Sequence, residues 1–307
     1  MVIALYGVIF TFLLSGRINV GAQNQEKIPA HQISVQHDND FLLGVDRYYT
    51  TGSFIGYSKV LTNDFIFKNT VDTSLQLDVL IAQEIYTPRE LFSTDFNDLE
   101  RPYAGYLYTS ASINQTKKDQ IWSVAGEFGL AGPHSFGGDV QTEYHKFINE
   151  FIPSWAGEIE NSVHINAYGD YVKSFQNETS FFVDLHSRTA LGTRQIFAGQ
   201  QATVFFGNRS SIDQSSFYNR VGRTSELYGY GGVYYRYVGL NALIQGHPWG
   251  DASPFTLRIE NQLVGAKLGV VLRRGANTFQ LEYVTQTNET MREGQVQYTS
   301  AVFKRAF

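Results

Sequence analysis

The 307 residues contain no cysteine. That excludes disulfide frameworks, cysteine–zinc sites and thiol nucleophiles. Basic residues are in deficit. Lys and Arg number 24 against 29 Asp and Glu, for a net charge of -5, so nucleic acid is not expected as a partner. Proline is scarce at 7 residues, while Gly (28), Tyr (19) and Phe (23) are abundant. That balance suits long strands, tight turns and aromatic girdles. Beyond residue 22 no run of 18 apolar residues occurs, so no transmembrane helix is expected there. There is also no Gly-x-Ser-x-Gly elbow and no glycine-rich phosphate loop.

The first residues, Met1 to Leu14, are nearly all apolar. The run is too short to span a bilayer as a helix. Val20-Gly21-Ala22 supplies small residues where signal peptidase reads them. The expectation is a signal peptide over 1–22 and a mature start at Gln23, with an N-terminal anchor helix as the other reading. Length alone suggests two domains, but a single β-barrel often runs this long. No boundary, repeat or low-complexity stretch divides 23–307, which reads as one barrel domain.

Period-two alternation dominates. Leu75, Leu77 and Val79 alternate with Gln76 and Asp78. Phe181, Val183 and Leu185 alternate with Asp184 and His186, and Phe279, Leu281 and Tyr283 with Gln280 and Glu282. Each strand therefore has one apolar and one polar face. A soluble sandwich shares this pattern, and strand length decides between them. Segments 73–86, 162–174 and 256–272 read as long strands, whereas globular strands average about five or six residues and a tilted membrane strand needs about 9–11. Asp78, Asp184, Arg258, Glu260 and Glu282 then line a lumen. Turn signals at 207–209, 251–254 and 274–277 separate strands. The sum is an all-β fold: a transmembrane antiparallel β-barrel of about twelve strands. Phe307, with Phe303 and Ala301 on one face, gives the last strand an aromatic end suited to barrel assembly, although Arg305 breaks the apolar face. An ordinary edge strand would end the same way.

One region breaks the β pattern. Asp139 to Glu150 follows Gly137-Gly138 and reads as a short helix in an extracellular loop, with Asp139 as N-cap and a stop before Pro153. Gln141 and His145 lie one helical turn apart on one face. His is the usual general base near neutral pH, and a Gln beside it can hold a water or fix a tautomer. Surface decoration is the plainer reading of such a pair. Asp38, Asn39 and Asp40 gather oxygen donors where a strand ends. Hard cations such as Ca²⁺ choose such donors, and a solvated turn uses the same residues.

At these residues the chain resembles the lipid A 3'-O-deacylase family of outer-membrane barrels. The likeness covers most of 23–307 and is strongest from about 34 to 161. It is carried by Asn39-Asp40, then Tyr49-Thr50-Thr51-Gly52 through Ser58, Ala82 to Pro88 and Arg101-Pro102-Tyr103-Ala104. Gly129 to Pro133, Val140-Gln141, His145, Pro153-Ser154-Trp155 and Ile159-Glu160-Asn161 follow in order. The resemblance implies a twelve-stranded barrel whose site lies between the outer wall and a loop helix. It implies Ca²⁺-dependent hydrolysis of the ester holding the 3'-acyloxyacyl group on lipid A, by a route like that of secreted phospholipase A2. His145 matches the catalytic histidine and Gln141 its helix neighbour. Asn39 and Asp40 match the pair near calcium, Thr50 the hydroxyl residue, and Glu150 a metal-side glutamate that would share the ion with Asp40. Where the family has a lysine toward substrate, Ser93 stands here, and Arg89 or Arg101 is its substitute. The implied setting is the cell outer membrane, with lipopolysaccharide as partner and a monomer as the acting unit. A pore or structural barrel without activity, and an outer-membrane phospholipase, are the competing readings. The phospholipase needs a Ser nucleophile, and none stands out beside a base.

Overall fold

A computed structural model describes residues 29–40, 47–176 and 181–307. The signal-peptide and anchor readings of 1–22 lie outside the described residues. The chain forms β1 (His31–Asn39), β2 (Tyr48–Leu61), β3 (Thr73–Thr87), β4 (Ala104–Lys117) and β5 (Gln120–Ala131). Helix α1 (Gly137–Ile148) precedes β6 (Ser162–Gln176), β7 (Phe181–Gly192), β8 (Gln195–Asn208) and β9 (Glu226–Asn241). A single turn, α2 (Ala242–Gln245), leads to β10 (Gln262–Arg274), β11 (Asn277–Gln286) and β12 (Val296–Ala306). Every strand pairs antiparallel with its sequence neighbours, and β1 closes on β12 into a barrel of twelve strands. Closure removes the unpaired edges that hydrocarbon cannot tolerate.

The alternation read from the sequence sets the two faces. Ile33 and Val35 on β1, Ile55 on β2, Ile81 on β3 and Leu281 on β11 are exposed outward. Asp38, Glu84, Glu127 and Glu282 line an interior cavity of about 580 Å³. Strands of 9 to 16 residues meet the membrane requirement. His31 and Phe307 bond each other through their backbones at one rim. The long connections 88–103, 132–161 and 242–261 lie at the opposite rim. Long loops mark the extracellular end of such barrels, so His31 and Phe307 lie at the periplasmic end.

The periplasmic end is filled. Residues 209–225 fold back into the lumen and bond strands all around it. Asn219 Nδ2 donates to Ser58 Oγ (2.9 Å) and Asp78 Oδ1 (3.1 Å). Arg273 donates to the carbonyls of Gln214 and Arg220, and Lys304 Nζ to that of Ser216, each at 2.8 Å. Arg209 meets Asp184 at 2.7 Å, both side chains fully buried, and lies 4.1 Å above the Phe205 ring centroid. The lumenal charges that invited a pore reading thus serve in part as anchors for a plug.

Two expectations need correction. Arg258 and Glu260 are not in a strand: β10 starts at Gln262, six residues later than the alternation suggested. Segment 256–261 carries strand-like alternation but has no strand beside it. Its one bridge is Ile259 to Thr290, in the loop before β12. Asp139 is not the N-cap of α1. Phe136 is, in a left-handed conformation, and the two glycines form the first turn.

Candidate active site

The site grows on the outer wall near the extracellular rim. Asn39, Thr51, Ile85 and Gly105 stand in register on β1 to β4. One step above, a β-bulge between Tyr49 and Thr51 leaves Thr50 as the extra residue. Its Oγ1 lies 2.6 Å from Thr87 Oγ1 in a buried pair. Asp40 N donates to Thr50 O at 3.3 Å, and Asn39 Nδ2 reaches the same carbonyl at 3.5 Å. The buried Asp40 carboxylate accepts from Arg47 N at 2.7 Å. Asn39, Asp40 and Thr50 are therefore together. Asp38 is separate: it points into the lumen, where Tyr49 OH donates to it at 2.9 Å.

The second half is α1, which packs on β4 and β3. Glycine explains how it gets so close. A Cβ on Gly137 would stand 2.8 Å from Gly105 Cα, and one on Gly138 would stand 3.0 Å from the Trp155 ring. The double glycine is thus a contact surface rather than a breaker. Gln83 Nε2 donates to Ser135 O at 2.7 Å and ties the start of this segment to the outer wall. Cover is selective along one outward row of β3: Ile81 is 59% exposed, and Ile85 is 1% exposed.

The helix presents Gly137, Gln141 and His145 as its buried residues. It stops at Asn149 in a left-handed conformation, whose N–H bonds back to Lys146 O, with Glu150 N bonding to His145 O. That sharp stop returns Phe151 to the helix, where its carbonyl lies 2.6 Å from His145 Nδ1. A carbonyl only accepts, so Nδ1 carries the proton and Nε2 carries the basic lone pair. Gln141 Oε1 accepts from Trp155 Nε1 at 2.9 Å, which turns the amide nitrogen the other way. That Nε2 is buried and has no hydrogen-bond partner among the described residues. Trp155 itself stacks near Tyr103, whose OH donates to Leu91 O at 2.7 Å. Trp155, Phe151 and Thr87 were not singled out as site residues. Trp155 and Thr87 lay within the stretches that carried the resemblance, whereas a backbone carbonyl leaves no sequence signal.

All five residues expected to be catalytic lie at the extracellular rim, and Gln141 and His145 share one buried face. No hydrogen bond among the described residues joins these two to Asn39, Asp40 or Thr50. Glu150 is exposed just past the helix end. Among the described residues no three His, Asp or Glu side chains cluster to hold a metal. Asp40, Asn39 and Glu150 do supply hard oxygen donors of the kind calcium takes, so carbonyl and water oxygens would complete its shell. Of the two candidate cations for substrate, Arg101 is committed: it is buried, 3.2 Å from both Glu289 and Glu293, and lies over the Tyr86 ring. Arg89 is exposed beside Glu90 and Glu100. Below the helix, burial and the charges of Asp139 and Glu160 push the Glu158 carboxyl up to about 7.

Comparison with known proteins bears on this arrangement. The family model described as outer membrane protein LpxR matches residues 8–307. Among solved structures, LpxR from Salmonella typhimurium is similar in fold, with a TM-score of 0.76 and 22% identity over 90% of this chain and 100% of that one. The β domain of the Bordetella autotransporter BrkA follows at 0.48 and 8% identity, over 91% and 99% of the two chains. The KdgM porin in complex with oligogalacturonate stands at 0.40 and 8%, over 90% and 99%. No curated protein sequence matches the chain.

Proposed function

Since the chain belongs to the outer membrane protein LpxR family and is an outer-membrane β-barrel, we propose that it is an ester hydrolase that removes the 3'-acyloxyacyl group of lipid A. The observation that carries this reading is the buried pair on α1. His145 has its tautomer set by Phe151 O, and Gln141 holds an unpartnered donor one turn away.

In this reading His145 Nε2 takes a proton from water as the water oxygen attacks the ester carbonyl. Proton removal by a placed base contributes about 10²–10⁴-fold. The Phe151 carbonyl stabilises the imidazolium that forms, because Nδ1–H already points at it. Gln141 Nε2 donates to the carbonyl oxygen as negative charge develops there. His145 then returns its proton to the departing sugar oxygen as the C–O bond breaks, giving a free fatty acid and a 3'-hydroxyl. Thr50 and Thr87 hold the bulged rim in place beside Asn39. Asp40, with Asn39 and Glu150, would hold Ca²⁺. When bound, the ion supplies positive charge for the oxyanion as a Lewis acid. No serine nucleophile is required. In this reading a monomer is the acting unit.

The test uses purified, folded protein in mixed micelles with lipid A or glycerophospholipid as substrate. The expected result is acyl release from lipid A alone, abolished by a calcium chelator and restored by added Ca²⁺. Release from glycerophospholipid at an equal rate makes it a phospholipase. Chelator-resistant hydrolysis removes the metal from the scheme.

A further inference from the structure

Helix α1 has three faces rather than two. At 3.6 residues per turn, Gly137, Gln141 and His145 form the face turned to the protein. On one side of it run Phe136, Val140, Tyr144 and Phe147, all exposed, with Phe147 72% and Val140 46% exposed. Opposite the protein face lie exposed Asp139, Glu143 and Lys146, with Lys146 Nζ 2.7 Å from Glu143 Oε1. The apolar stripe continues past the helix end into Phe151, whose ring meets the exposed Phe92 edge-on at 5.9 Å. So large an exposed apolar surface needs a partner.

The wall indicates which one. The segment leading into α1 is fixed to Gln83, below the end of β3. Two residues further down the same outward row, Ile81 faces the lipid side. The helix therefore stands on the outer wall beside lipid-facing residues, where lipid would otherwise touch the barrel. Such a helix, apolar on one flank and charged on its outward face, lies in the membrane interface.

We propose that α1 is an interfacial anchor whose Val140–Tyr144–Phe147 stripe, extended by Phe151 and Phe92, sits among the acyl chains of the outer leaflet. The charged outward face meets the headgroups and water. The proposal rests on outer-membrane residence and not on hydrolysis. It places the His145 face at the boundary between headgroup and acyl chain, where acyl esters lie.

The absence of cysteine gives a clean test. Single variants Val140→Cys, Phe147→Cys, Asp139→Cys and Glu143→Cys are labelled with an environment-sensitive fluorophore. The labelled full chains go into phosphatidylethanolamine–phosphatidylglycerol vesicles carrying nitroxide-labelled acyl chains. Labels at 140 and 147 are expected to be quenched several-fold more strongly than those at 139 and 143. Equal quenching at all four, or stronger quenching at 143, overturns the proposal. Heat-modifiable migration selects folded protein, and Tyr144→Cys is the replacement position on the stripe. The readout needs no catalysis, so it stands apart from the outcome of any hydrolysis assay.

Discussion

The periplasmic plug and the α1 face are both buried polar regions, and they are built differently. In the plug most charged groups are matched, Arg209 with Asp184 and Arg273 and Lys304 with loop carbonyls, while Arg220 Nη1 is buried with no partner among the described residues. Tyr218 OH adds a bond to Asp184 at 2.6 Å. At α1 the order is partial. His145 Nδ1 and Gln141 Oε1 are pinned, and the Gln141 amide nitrogen has no partner among the described residues. A buried donor without an acceptor costs about 1–3 kcal/mol. In the proposed reading the same types of polar residue give scaffold in one place and a reactive surface in the other.

Substitutions break this contrast in order of size. His145→Ala should lower hydrolysis by about 10²–10⁴-fold and leave heat-modifiable migration intact, because the loop helix is not part of the closed barrel. Loss of the folded band would make His145 structural. Asp184→Ala should do the reverse. It leaves Arg209 buried without its partner and costs about 3–5 kcal/mol of stability, read as a lower unfolding midpoint in denaturant. The rate per folded molecule should hold. Trp155→Phe keeps the ring packing and deletes the indole donor to Gln141. The loss of about 1–2 kcal/mol of positioning corresponds to roughly a tenfold fall in kcat, and an unchanged kcat would detach Gln141 from the chemistry.

The smallest effect is on pH dependence. Glu158 has a folded pKa raised to about 7, first by burial and then by Asp139 and Glu160. A carboxyl raised in this way favours the fold while it is neutral. Its contribution is full below the unfolded value near 4.5 and fades as pH climbs through about 7. The thermal midpoint should therefore decline between pH 5 and 8. Glu158→Gln should flatten that decline, and an unchanged slope would assign it to other groups, Glu293 among them.

Much of the barrel was legible because a membrane strand writes its two faces into every second residue. Gln280 and Glu282 turned inward and Leu281 outward as the alternation required. Alternation misleads where pairing is missing, as at Arg258 and Glu260, since a strand exists only beside another strand. The plug was invisible. Its asparagine and arginines act through contacts with residues far away in sequence, such as Asn219 with Asp78. On α1 the spacing of Gln141 and His145 predicted a shared face. Gly137-Gly138 read as punctuation, because their close approach to Gly105 and Trp155 is tertiary. The Phe151 carbonyl was out of reach for any reading of side chains.

One measurement bears most directly on the α1 face as the reactive surface. Lipid A is extracted from an envelope with intact acylation that expresses either the wild-type chain or His145→Ala, and both are analysed by mass spectrometry. The wild type should yield lipid A lighter by the 3'-acyloxyacyl group, and the variant, folded and present in equal amount, should leave it unchanged. Intact lipid A with both chains, or the same shortened lipid A with both, would contradict the account.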